Sequence, residues 1–335
     1  MGSLDPKYWS VCRIEAAGAE LVALGGDNGH ISLWNPATGK TRKLGRGKGP
    51  ALALCPVRPG VGTRLGARTV LASAGLDQTI WLWDPVSRRE VIRYTGHPTE
   101  RITRLCRLPT ADGDLLVTAG HDGLIIVLEP STGDAIRAMS ESAGPVQDLC
   151  QFTVGGADRL ASVGLDAVVR IWDSTNGALL HTLTGHDGWL HAVCTVTVDG
   201  RVFLASAGDD RVIRLWDPVA GKLVRAMEPK ETMHTMGITG AGGGTVYALR
   251  EVRSGDRVWL ASGGDFPGVW LWDPTTGRGA GWLGWRGALD TTPECGWVRS
   301  LATYPLDGGP YVVTGGYDKA VHMFAAQGSR AFQGF

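Results

Sequence analysis

Seven times, at intervals of about fifty residues, the chain repeats a short apolar strand ending in an aromatic residue or leucine, then an acidic or small residue and a turn. The segments read ISLWNPATG (31–39), IWLWDPVSR (80–88), IIVLEPSTG (125–133), VRIWDSTNG (169–177), IRLWDPVAG (213–221), VWLWDPTTG (269–277) and VHMFAAQG (321–328). A period of this length excludes most folds, because one such unit cannot bury its own faces and must stack on copies of itself. Seven copies can close into a ring. The 335 residues would ordinarily suggest two domains, but a unit that depends on its neighbours overrides that expectation and makes 1–335 one domain.

Each full repeat contains four strand-like runs, separated by Gly, Asp and Pro, with no competing helical period. The first resembles WLHAVCTVTV (189–198) and is nearly all apolar, as a strand buried around an axis should be. The second resembles FLASAGDD (203–210), the third is the aromatic-ended strand, and the fourth is shorter and polar, like EVIRYTG (90–96). A polar last strand suits an outer edge that must stay soluble. The expected fold class is therefore all-β, a seven-bladed β-propeller of four-stranded antiparallel sheets.

The repeats resemble WD repeats over nearly the whole chain. In that family a Gly-His dipeptide, a Ser or Thr of the second strand, an Asp of the following turn and the Trp of the third strand form a buried hydrogen-bonded set. Gly185-His186, Ser206, Asp210 and Trp216 match all four positions, so the resemblance makes them a structural tetrad. The same side chains would also compose a hydrolase triad. The structural reading is preferred, because a hydroxyl consumed by a buried network cannot meet a substrate and no GxSxG elbow is present. Other repeats keep fragments: His97, Thr118 and Asp122 with Leu128 in place of Trp, and Asp77, Asp166 and Asp318 without a preceding His.

Composition removes several functions. Formal net charge is +0, so nothing drives the chain toward nucleic acid or a membrane surface. No apolar run is long enough to span a bilayer and no signal peptide is visible. Cys55, Cys106, Cys150 and Cys194 recur at one position of the first strand, which predicts free thiols used as small core residues in separate blades. That points to a reducing, cytoplasmic compartment. His181, His186 and His191 span two strands and a loop, and no CxxC exists, so no metal and no cofactor are expected. Gly39-Lys40-Thr41 lacks the upstream Gly and the helix of a phosphate-binding loop.

The functional candidates come from one rim. Two stretches, 228–245 and 278–297, lengthen the links into repeats six and seven on the same side of the ring, and 56–68 lengthens a link on the other side. Long loops on a rigid scaffold are where binding concentrates. The residue before each first strand reads Ser10, Pro50, Arg101, Pro145, Trp189, Thr245 and Trp297, and two residues on come His191 and Arg299. The turns add Arg211 and Phe266, and the 278–297 stretch adds Trp282, Trp285 and Arg286. Trp and Arg are the types enriched at binding hot spots. The expected function is a non-catalytic recognition module, a scaffold or sensor that binds a protein or peptide through this rim within a larger signalling protein. The Arg-rich composition and repeat style point to a bacterial source. A small-molecule or glycan binder on the rim tryptophans, and more remotely a propeller hydrolase, are the alternatives. Ala331–Phe335 is expected to close the seventh blade.

Overall fold

The computed structural model describes residues 7–97, 100–140, 143–228, 244–266, 268–283, 297–306 and 309–326. It is a seven-bladed β-propeller without a helix among these residues. Blade 5 shows the plan. Leu190–Val198, Arg201–Gly208, Ile213–Asp217 and Lys222–Met227 pair in chain order, each antiparallel to the last. Six sheets have four strands in this order, and the seventh has three among the described residues, Val298–Leu306, Gly309–Gly316 and Val321–Ala325. The expected closing strand at 331–335 lies outside the described residues.

The first strands form the inner wall of the ring. Tyr8–Ala16 packs on Ala51–Val57, that strand on Ile102–Leu108, and so on through Val146–Val154, Leu190–Val198 and Val246–Ser254 to Val298–Leu306, which returns to Tyr8–Ala16. The hydrophobic residues explain why. They divide into seven clusters, each drawn from two adjacent blades rather than from within one. Trp172, for example, packs with Leu108, Val117 and Val146 of its own and the preceding blade. Each sheet buries both faces against its neighbours, so no blade is stable alone and closure is the only way to cover the last face.

The 56–68 insertion emerges on the rim opposite the strand entrances and is tied down there. Arg58 N–H donates to Asp114 (2.9 Å) and its guanidinium to Glu15 (3.0 Å), while Arg64 donates to the carbonyl of Ser131 (3.0 Å). The 278–297 stretch differs from expectation, because its first residues form the outermost strand of blade 6, Gly279–Leu283. The 13 residues 284–296, with Trp285 and Arg286, and the 15 residues 229–243 lie outside the described residues.

Candidate functional site

Every first strand begins with a β-bulge. In blade 5, Leu190 pairs with Gly208 and Ala192 with Ala207, so His191 is skipped. The same skip falls at Trp9, Leu52, Thr103 and Gln147 in blades 1–4 and at Tyr247 and Arg299 in blades 6 and 7. A second repeated contact fixes the bulge. The N–H following the second strand's final Gly donates to the carbonyl of the residue before the first strand, as in Asp209 to Trp189 (2.8 Å) and Tyr317 to Trp297 (3.1 Å). A bulge redirects the side chain of the extra residue. Here all seven skipped residues line one cavity of about 290 Å³ at the mouth of the central channel.

This register corrects the reading of blade 1. Tyr8 stands opposite Gly26 as Leu190 stands opposite Gly208, so Lys7 and Trp9 hold the positions of Trp189 and His191. Ser10, expected on the rim, is 2% exposed. Trp9, Tyr247 and Tyr317 were all missed as site residues. Counting back from each second-strand Gly through the hairpin would have found the first two.

Blades 6, 7 and 1 hold the most polarised part of the mouth. The Arg299 guanidinium lies 4.1 Å from the ring centre of Tyr247, 5.5 Å from Tyr317 and 5.6 Å from Trp9. Such contacts attract a cation through the ring quadrupole. Its hydrogen bond within the fold goes to the Tyr317 hydroxyl at 3.4 Å. Trp297 meets Tyr317 edge-on at 5.3 Å. His191 Nε2 bonds Asp209 (2.9 Å), and its ring tilts over Tyr247 at 5.1 Å. Burial, helped by Arg299, outweighs Asp209 and lowers the His191 pKa, which favours its neutral form at pH 7. An acid partner for His191 was not foreseen. Deeper in, Arg104 pairs with Asp148 at 2.7 Å, while Asp148 also accepts N–H bonds from Leu149 and Val193. Burial raises the Asp148 pKa against the pull of Arg104 and those amides.

The remaining candidates divide by place. Arg101 is exposed and also lines the mouth cavity. Trp189 is 54% exposed, the one exposed tryptophan among the described residues. Arg211 sits exposed in the next turn, in a left-handed conformation with φ 65°. Phe266 is 5% exposed and belongs to the core between blades 5 and 6, so it offers no contact surface. Trp282, expected on a rim loop, lies in the outermost strand of blade 6 opposite Trp270.

The four-residue set of blade 5 is a closed network. His186 Nδ1 bonds Asp210 at 2.8 Å, Nε2 meets Ser206 Oγ at 2.7 Å, and the Trp216 indole donates to the same Oγ at 2.8 Å. Ser206 is 0% exposed, and its hydroxyl is shared between His186 and Trp216. In blade 3, His97 bridges Asp122 and Thr118 in the same way, at 2.9 Å to each. The third strand also supplies a partner four residues after the turn acid, as Arg214 does for Asp210 beside His186, and where no His precedes the acid this is its side-chain partner among the described residues. Trp81 serves Asp77 (2.9 Å), Arg170 serves Asp166 (2.7 Å) and His322 serves Asp318 (2.6 Å).

Below the mouth, a second cavity of about 440 Å³ is lined by five thiols, Cys12, Cys55, Cys106, Cys150 and Cys194, each free. They come from separate blades, as expected, but those blades are neighbours, and the thiols stand side by side around the channel. Cys12 is a fifth member that was overlooked. Burial pushes the Cys55 and Cys194 thiols up to about 12. Among the described residues, no cluster of three or more His, Cys, Asp or Glu is placed to hold a metal ion.

With this geometry in view, the comparison with known families is specific. The model of the family described as "WD domain, G-beta repeat" matches residues 88–128 and 177–217. Each match runs from the fourth strand of one blade through the third strand of the next, and each contains a Gly-His dipeptide, Gly96-His97 or Gly185-His186. These are the two blades that keep a His–Asp–hydroxyl network. No curated protein matches the chain.

Proposed function

We propose that this propeller is a protein- or peptide-recognition module, a scaffold or sensor domain of a larger signalling protein, and that it binds through the rim at the channel mouth. Repeats of the matched family in a closed ring suit a scaffold for protein interaction. The observation that carries the reading is Trp189, an indole 54% exposed beside the ring of bulged residues. A large exposed aromatic on a rim that also carries Arg101, Arg211 and Arg299 has the composition of an interface hot spot. Rigid blades also lower the entropic cost of ordering such a surface. Five free thiols among the described residues suit a reducing, cytoplasmic setting.

The test is replacement of Trp189 and Trp297 by alanine together. Proteins that co-purify with the intact ring should be lost from the variant while its thermal unfolding stays cooperative. Retention of the same partners at the same yield, in a folded variant, places the interface elsewhere.

A further inference from the structure

We propose that the channel mouth takes an anionic group of a partner peptide, a carboxylate or a phosphate, with Arg299 as the residue that contacts it and Arg101 and Arg104 around it. This rests on the recognition reading above and names the chemistry it recognises.

Charge balance is the first argument. Three guanidinium groups, Arg101, Arg104 and Arg299, line the mouth cavity against one carboxylate, Asp148. Asp148 is already engaged by Arg104 at 2.7 Å and by two backbone amides. Arg101 and Arg299 have no ion-pair partner among the described residues. Two cations without an ion-pair partner therefore face a confined space, with Asp209 and Asp265 near Tyr247 at its edge and Glu100 beside Arg101, and a concave low-dielectric wall concentrates their field.

The second argument is how Arg299 is held. Aromatic rings from three blades, Tyr247, Tyr317 and Trp9, stand within 5.6 Å of its guanidinium, and their faces orient it without taking a hydrogen bond. A guanidinium has five N–H donors. One long bond to the Tyr317 hydroxyl at 3.4 Å leaves the others to donate to a forked oxygen pair.

An independent signal comes from Trp9. Its indole N–H is buried without an acceptor among the described residues, in a residue that lines the same cavity. A buried donor left unmade is costly, and native folds seldom keep one without a use. The cavity, at about 290 Å³, holds many times the volume of a water, which occupies about 30 Å³. A side-chain carboxylate or a phosphoserine fits within it.

The experiment uses rhodamine-labelled hexaglutamate, a Gly-Ser peptide of equal length bearing two phosphoserines, and hexalysine, each titrated into the whole chain by fluorescence anisotropy. One or both anionic peptides should bind saturably and hexalysine should not. The stronger of the two identifies carboxylate or phosphate as the group recognised. Arg299→Gln should weaken that binding about tenfold. Arg101→Gln, at an exposed side chain without an ion-pair partner among the described residues, should weaken it about threefold with unchanged thermal unfolding. Equal binding of hexalysine overturns the inference, and so does anionic-peptide binding indifferent to both Arg101→Gln and Arg299→Gln. Binding of inorganic phosphate as tight as that of either peptide overturns it too, because the site would then be an ion site. If partners are lost on replacing Trp189 and Trp297 but kept in both arginine variants, the recognition reading stands and the anion inference falls.

Discussion

At the residue scale, the blade 5 network decides how the protein responds to acid and to truncation. Burial alone would raise the Asp210 carboxyl, but His186, the Val212 amide and Arg214 outweigh it and hold its pKa at about 2. An ordinary Asp titrates near ~3.9. The folded-state value is the lower one, so its contribution to stability is complete above about pH 5 and drains away as pH falls through about 4 toward 2. The loss is on the order of 1–2 kcal/mol. Urea melts at pH 7 and pH 3 should show this difference narrowing in Asp210→Asn, which is already destabilised at pH 7. Ser206→Ala should cost about 1–3 kcal/mol at pH 7, since it strands the Trp216 indole and His186 Nε2 at once. The channel thiols give the opposite kind of forecast. With Cys55 and Cys194 pushed up to about 12 by burial, thiolate is scarce at pH 8. Iodoacetamide should modify these two at least about a hundredfold more slowly in the folded chain than in guanidinium, read by mass spectrometry of their peptides. Rapid modification of Cys55 in the folded protein would contradict the burial.

At the scale of the element, the bulge at each first-strand entrance builds the site, and a glycine permits the bulge. A Cβ on Gly208 would sit 1.8 Å from the Trp189 carbonyl oxygen, the acceptor of the Asp209 amide. Gly208→Ala should therefore cost at least about 2 kcal/mol and displace Trp189 and His191 together. Gly62→Ala, with nothing within 4 Å, should stay within about 0.5 kcal/mol of the parent. Equal melting of the two variants would show that the glycine is not needed for close approach. The same element explains what could be read in advance. The third strands, the polar outer strands and the His186 network were legible because each repeats a chemical type at fixed spacing. The bulge was not, because one skipped residue at a strand end leaves the alternation of the rest intact. Blade 1 was hardest, since Asn28 and Leu24 replace the turn acid and the hydroxyl, and its frame slipped by three residues from Lys7 to Ser10. Arg299 and His191 were found at the mouth because blades 5 and 7 keep their frame. Their partners Asp209 and Tyr317 come from the turns after the second strands of the same blades, and Tyr247 from the blade between, a proximity set by hairpin register and blade stacking.

For the whole molecule, the seam between blades 7 and 1 carries both closure and the candidate site. The Val11 amide donates to Ser300 Oγ at 3.0 Å and the Tyr304 hydroxyl to the Glu20 carbonyl at 2.8 Å. Around them Val11, Val22, Leu24, Ala302, Tyr304 and Val313 form the seventh inter-blade core. Above this core, Trp9 of blade 1 and Tyr317 of blade 7 stand 5.9 Å apart, at 5.6 Å and 5.5 Å from the Arg299 guanidinium. A ring of neighbour-dependent units loses two interfaces when one blade opens, so the seam should not yield by itself. The double variant Ser300→Ala with Tyr304→Phe removes both hydrogen bonds and should cost about 2 kcal/mol, about 1 for each bond. Its denaturation should remain a single transition at a lower urea midpoint, and intrinsic Trp fluorescence and far-UV circular dichroism should coincide. An earlier separate phase in Trp fluorescence would mean that blades 7 and 1 part before the rest unfolds. The Arg299 cage would then be assembled and dispersed by opening of the ring, instead of being held as firmly as the blades themselves.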